Sequence, residues 1–79
     1  MKLTVLSPEE ELLCCEVTAV ELPGTKGRFM VWPGHASLLT SLTAGTILYD
    51  LSGSAARERF PISGGFAEVM NDEITVCVG

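Results

Sequence analysis

The sequence predicts an all-β domain, an antiparallel sandwich or barrel of eight or more short strands, and three observations carry this. Apolar and polar residues alternate with period two over several short runs. Turn formers (Ser-Pro, Pro-Gly, Ser-Gly, Asn-Asp) punctuate those runs at close spacing. No credible helix of about ten residues is present. At 79 residues the chain, 1–79, is one domain, and its hydrophobic fraction of 47% is ample for a folded core.

Taken in order, Lys2–Leu6 alternates and reads as the first strand, ended by Ser7-Pro8. Glu9–Glu11 forms a solvated connection. Leu13, Cys15 and Val17 then share one face, whereas Val20 and Leu22 have the opposite parity. A β-bulge near Thr18-Ala19 reconciles the two sets; a strand buried on both faces is the alternative. Pro23-Gly24 and Pro33-Gly34 both read as turns, with Pro presetting φ and Gly supplying positive φ. They enclose Phe29–Trp32, in which Phe29 and Val31 share a face opposite Met30 and Trp32. Leu38-Leu39 is expected to be buried, in a strand or irregular segment closed by Thr43-Ala44-Gly45. Thr46–Asp50 and Arg57–Ile62 form a hairpin through the turn 51–55. Alternating charges and Pro61 put the second of these strands at an edge or a strand end. Phe66–Met70 and Glu73–Val78 form another hairpin about Asn71-Asp72, a pair that tolerates left-handed geometry. Ile74, Val76 and Val78 are expected to face inward.

The net charge of −5 disfavours free nucleic acid, which requires a basic footprint. A basic protein partner is compatible with it. No apolar run approaches the ~20 residues that span a bilayer, and the N-terminus carries no signal peptide, so a cytoplasmic location is expected. The three cysteines, Cys14, Cys15 and Cys77, lack metal-ligand spacing, and adjacent strand residues point to opposite faces. They read as reduced, inert thiols.

Catalytic chemistry finds little support. The single His35 follows a Pro-Gly pair with only Ser37 as a nearby nucleophile, outside any nucleophile-elbow context, so it reads as a loop-fixing or partner-facing histidine. Ser63-Gly64-Gly65-Phe66 lacks both phosphate-loop spacing and a following helix; its glycines are expected where two backbones approach closely. Asp72-Glu73 reads as a solvated hairpin tip. Gly24–Arg28 is either an exposed hairpin tip or a contact loop. Trp32 is either a partly exposed anchor or a core residue. No catalytic set, metal site or cofactor site is expected. The residues by themselves describe a small β binding module.

The segment Leu22–Gly45, reading LPG-x-x-G-x-F-x-V-x-PGH-A-x-LLT-x-L-x-x-G, resembles the signature of the epsilon subunit family of rotary F-type ATP synthases. ISGGFAEV at Ile62–Val69 and ITVCV at Ile74–Val78 are similar, in the same order, to the closing strands of that family's N-terminal domain. The resemblance spans Lys2 to Val78. It implies a flattened sandwich of about ten strands at the foot of the central stalk, touching the gamma subunit and the membrane-embedded c-ring. Its implied role is non-catalytic: coupling proton or sodium flow to ATP synthesis at the cytoplasmic face of the membrane, without insertion into it. On this resemblance the ring-facing end comprises Gly24, Thr25, Lys26, Gly27 and Arg28 in the first loop. Trp32 follows, with Pro33, Gly34, His35, Ala36, Ser37 and Leu38 in the second. Ser37 and Ala44 stand where the family usually has Pro, Trp32 where it has a smaller apolar residue or Tyr, and Arg28 where an acidic residue is common. The family usually continues into a C-terminal helical hairpin that restrains ATP hydrolysis; a chain ending at Gly79 is expected neither to inhibit in this way nor to bind ATP. The competing expectation is a β adaptor that binds a peptide along a sheet edge.

Overall fold

Side chains alternate between core and surface through most strands of the computed structural model, which describes residues Met1–Gly79. There are eight: β1 (Lys2–Leu6), β2 (Glu11–Gly24), β3 (Gly27–Val31), β4 (Leu38–Leu42), β5 (Gly45–Leu51), β6 (Arg57–Ile62), β7 (Gly65–Met70) and β8 (Glu73–Cys77). The all-β class stands, with eight strands in place of the ten implied by family resemblance, because one chain stretch of 14 residues serves both layers as the single strand β2. Pairing runs β1-β8-β7-β4-β2-β5-β6, with β3 on β2 and a further β1–β2 ladder that folds the sheet over onto itself. One layer is therefore β4, β7, β8, β1 and the first half of β2; the other is β3, the second half of β2, β5 and β6. All pairings are antiparallel except β1–β8, in which the first and last strands run side by side in the same direction.

The switch between layers occurs at the expected bulge. Val17 pairs with Leu51 and Ala19 with Asp50, leaving Thr18 as the extra residue. Up to Glu16 the strand pairs with β1, and from Val17 it pairs with β5. Leu13, Cys15 and Val17 before the bulge, and Val20 and Leu22 after it, all reach the core. That core draws on both layers, with Leu3, Val5, Val20, Leu22, Val31, Ile47 and Val76 fully buried. No buried side-chain polar atom lacks a hydrogen bond, so the interior carries no desolvation penalty of that kind.

Two local expectations need correction. Pro23-Gly24 is not a turn: both residues extend β2, and the chain reverses at Thr25-Lys26, with Gly24 paired to Gly27. Gly24 is required by crowding, since a Cβ there would lie 2.7 Å from the Gly27 carbonyl oxygen and 3.0 Å from the Phe29 ring, while the positive φ falls on Gly27 at +127°. Leu38-Leu39 is not buried as a pair. Segment 38–42 is a strand, so Leu38 and Leu42 turn inward and Leu39 points out, 72% exposed.

Candidate docking surfaces

The expected site residues occupy β3 and the connections at its two ends. Thr25 and Lys26 are exposed at one end, where the Thr25 amide donates to the Ser41 carbonyl (3.1 Å) and its hydroxyl meets that of Ser41 (2.8 Å). Pro33-Gly34 lies at the other end. There it forms the expected turn, closed by His35 N–H donating to the Trp32 carbonyl (3.1 Å), with Gly34 at φ +84°. Five residues of strand separate the two bends by roughly 15–20 Å. They therefore bracket one flank of the molecule and do not converge on one end. The sequence places them close together only because β3 is short.

Arg28 does not project freely from this flank. Its Nε donates to Glu21 Oε2 on β2, and its Nη2 donates to the Thr46 carbonyl on β5 (2.7 Å). The guanidinium thus fastens β3 to β2 beside it and, across β2, to β5, and its charge is met within the chain. Lys26 makes no ion pair, which leaves it as the free cation of that turn. At the other end Trp32 is 56% exposed, which resolves its reading in favour of a surface position. His35 Nδ1 donates to the Ala36 carbonyl at 2.7 Å, so the ring is fixed within its own loop.

Asp72 does more than solvate a hairpin tip. Asn71 and Asp72 take positive φ (51° and 59°), as a two-residue β7–β8 reversal requires. This geometry aims the Asp72 carboxylate at the Pro33-Gly34 turn, where it accepts from Gly34 N–H at 2.7 Å. The expectation for Ser63-Gly64-Gly65 holds in physical detail. Gly64 and Gly65 have φ of 133° and 148°, and a Cβ on Gly65 would lie 2.1 Å from the Cys77 carbonyl oxygen.

A surface not singled out by the sequence lies on the outside of the β4–β7–β8 layer. Leu39, Phe66 and Met70 stand there 72%, 60% and 45% exposed. Cross-strand register places Ser41, Phe66, Cys77 and Leu6 in one row, and Leu39, Glu68, Thr75 and Thr4 in the next. A shallow recess of about 280 Å3 opens at its β4 margin, lined by Ser37, Leu38, Leu39, Glu68, Val69 and Met70. The signal was present in the alternation: once Ala67 and Val69 face the core, Phe66 and Met70 must face out. Cys14 and Cys77 are exposed on this layer, and Cys15 turns inward, where burial pushes its thiol pKa up. The three cysteines are free thiols. No three metal-ligating side chains converge, and no helix is long and apolar enough to cross a membrane.

These features define a class of protein, the small β-sandwich with a complete core and a large apolar surface left outside it. Residues 1–79 match the family model described as the ATP synthase, Delta/Epsilon chain, beta-sandwich domain, and the chain belongs to that family. It is 40% identical over 76 residues to the ATP synthase epsilon chain of Solibacter usitatus, covering 96% of this chain and 55% of that one. Identity to the epsilon chain of Paracoccus denitrificans is 34%, with 96% and 51% covered. For that of Helicobacter pylori it is 37%, with 96% and 60% covered. The chain thus spans about half the length of the curated relatives it matches. A chain in the cryo-EM structure of the Euglena gracilis mitochondrial ATP synthase (OSCP/F1/c-ring) superposes with a TM-score of 0.86 at 27% identity, covering 96% of this chain and 48% of that one. A chain from the central stalk and c-ring of the Tetrahymena thermophila enzyme shares the fold, with a TM-score of 0.81 at 16% identity over 99% of this chain and 62% of its own length.

Proposed function

We propose that this domain is a non-catalytic part of the central stalk of a proton- or sodium-translocating F-type ATP synthase, on the cytoplasmic face of the membrane. It links the gamma subunit to the c-ring. The observation that carries this reading is the outer face of β4 and β7, where Leu39, Phe66 and Met70 stay in water although the core is already closed. Large apolar side chains grouped on one sheet face mark a protein contact, and this face is the one assigned to gamma. Exposed Glu68 and Glu73 within it favour a partner surface with basic groups among its apolar ones. The β3 flank, with Thr25-Lys26 at one end and Trp32–Ser37 at the other, is assigned to the c-ring. A close-packed sandwich yields little under load, which suits a part that passes torque between two neighbours.

The test uses Leu39→Asp with Phe66→Asp in the assembled enzyme. Loss of the subunit from gamma-containing complexes is expected, with the circular dichroism of the purified variant unchanged. Retention at wild-type levels refutes the gamma assignment. Lys26→Glu tests the ring contact, and it is altered alone because Arg28 is held by Glu21. Reduced ion-driven ATP synthesis in reconstituted membranes is expected, and unchanged coupling removes Lys26 from the contact.

A further inference from the structure

The connection 32–37, between β3 and β4, has no strand partner. Outside the strand ladders it makes three hydrogen bonds, and two of them stay within it: His35 N–H to the Trp32 carbonyl, and His35 Nδ1 to the Ala36 carbonyl. The third, Gly34 N–H to Asp72 Oδ1, joins residues 38 apart in sequence and is the only one that ties this segment to another part of the molecule. Asp72 is well placed to serve as an anchor. Its own position is fixed on one side by the Met70–Glu73 pair that closes the β7–β8 hairpin. On the other side its carbonyl accepts from Lys2 N–H at 3.0 Å, which fastens the hairpin tip to the start of β1.

We propose that Asp72 is a positioning residue, which holds the 32–37 connection in the conformation that presents Trp32 and His35 to the partner on the β3 flank. The proposal rests on the reading of that flank as a docking surface. A loop held in its bound shape before contact loses less freedom on binding, so its tether strengthens association without touching the partner. The carboxylate suits this task because an ionised acceptor makes a stronger bond to a backbone amide than a neutral one.

Asp72→Gly isolates the effect. Glycine is at ease at φ +59°, so the hairpin survives while the tether is removed. In the purified protein the Gly34 amide is expected to exchange roughly tenfold faster, as loss of one such bond implies. Amides of the β7–β8 ladder should be unchanged. Binding to detergent-solubilised c-ring is expected to weaken severalfold, chiefly through faster dissociation. Asp72→Asn keeps the oxygen acceptor and tolerates the backbone, so it is expected to restore both readouts nearly to wild type. Unchanged Gly34 exchange in Asp72→Gly overturns the proposal at the tether. Fast exchange with wild-type ring binding overturns it at the docking step. Trp32→Ala separates the two readings: weakened binding in that variant with wild-type binding in Asp72→Gly leaves the flank as the docking surface and removes Asp72 from it, whereas wild-type binding in both removes the flank itself.

Discussion

A methyl group on Gly65 would sit 2.1 Å from the Cys77 carbonyl oxygen, on a backbone whose φ of 148° already disfavours any side chain. Gly65→Ala is therefore expected to cost about 3 kcal/mol. Thermal unfolding should show this as a fall of roughly 15 °C in Tm for a domain of this size. The Arg57 guanidinium, which donates to both Asp50 carboxylate oxygens at 2.9 and 3.1 Å, holds that carboxyl below the usual aspartate range. The bond favours the ionised form, so its contribution is complete above the ordinary aspartate value of about 3.9 and fades as pH falls through the depressed one. An NMR titration should find Asp50 titrating at lower pH than free aspartate, and Arg57→Gln should move it back up. The pair is exposed, so its loss is expected to disturb stability little. At this scale the sequence is readable where a residue answers to its immediate neighbours. Asn71-Asp72 forms its turn because the flanking residues pair, and Gly64-Gly65 bends because two backbones meet. Pro23-Gly24 misleads for the same reason in reverse: Gly24 makes room for Gly27 and Phe29, a demand set across the ladder and invisible along the chain.

Strands decide which of two similar aliphatic side chains matters. Ile47 on β5 is fully buried, and Ile47→Ala is expected to cost about 2–4 kcal/mol in chemical denaturation. Leu39→Ala on β4, although it removes a comparable hydrocarbon, is expected to stay within about 0.5 kcal/mol because that side chain already faces water. The same variant should weaken gamma association, and that contrast distinguishes a docking residue from a core residue. Strand extents and faces were legible because period two is a local property: Lys2–Leu6 and Arg57–Ile62 fall where alternation puts them. The bulge at Thr18 was legible too, since only an extra residue lets Val17 and Val20 share the interior. Leu38-Leu39 reads along the chain as one apolar unit, but a strand must send adjacent side chains to opposite sides, so Leu39 faces water. The outer apolar face is not legible along the chain because Leu39, Phe66 and Met70 lie on two strands that only the fold makes neighbours.

Over the whole molecule, class and approximate size followed from alternation and turn spacing, but strand order did not. The separation of Thr25-Lys26 from Pro33-Gly34 shows the limit. The sequence puts them at the two ends of one strand, but where those ends lie in the molecule is set only when β3 pairs with β2. Likewise nothing local announces that β1 lies beside β8, with Lys2 opposite Glu73 about 70 residues further on. Such distant contacts make the order of strands a property of the closed sandwich, and they also slow its formation. Placing the first and last strands parallel has a mechanical result. A pull on Met1 and Gly79 drags β1 and β8 past each other along their length, so the bonds of that ladder share the force and must fail together. Gly45 and Ile62, paired at the open end of the β5–β6 hairpin, offer the opposite geometry, in which bonds peel apart one after another. In optical tweezers the protein is expected to rupture at clearly higher force when held by its termini than when held at those two positions. A domain stitched shut by its own two ends resists being drawn out lengthwise far better than being unzipped from the side.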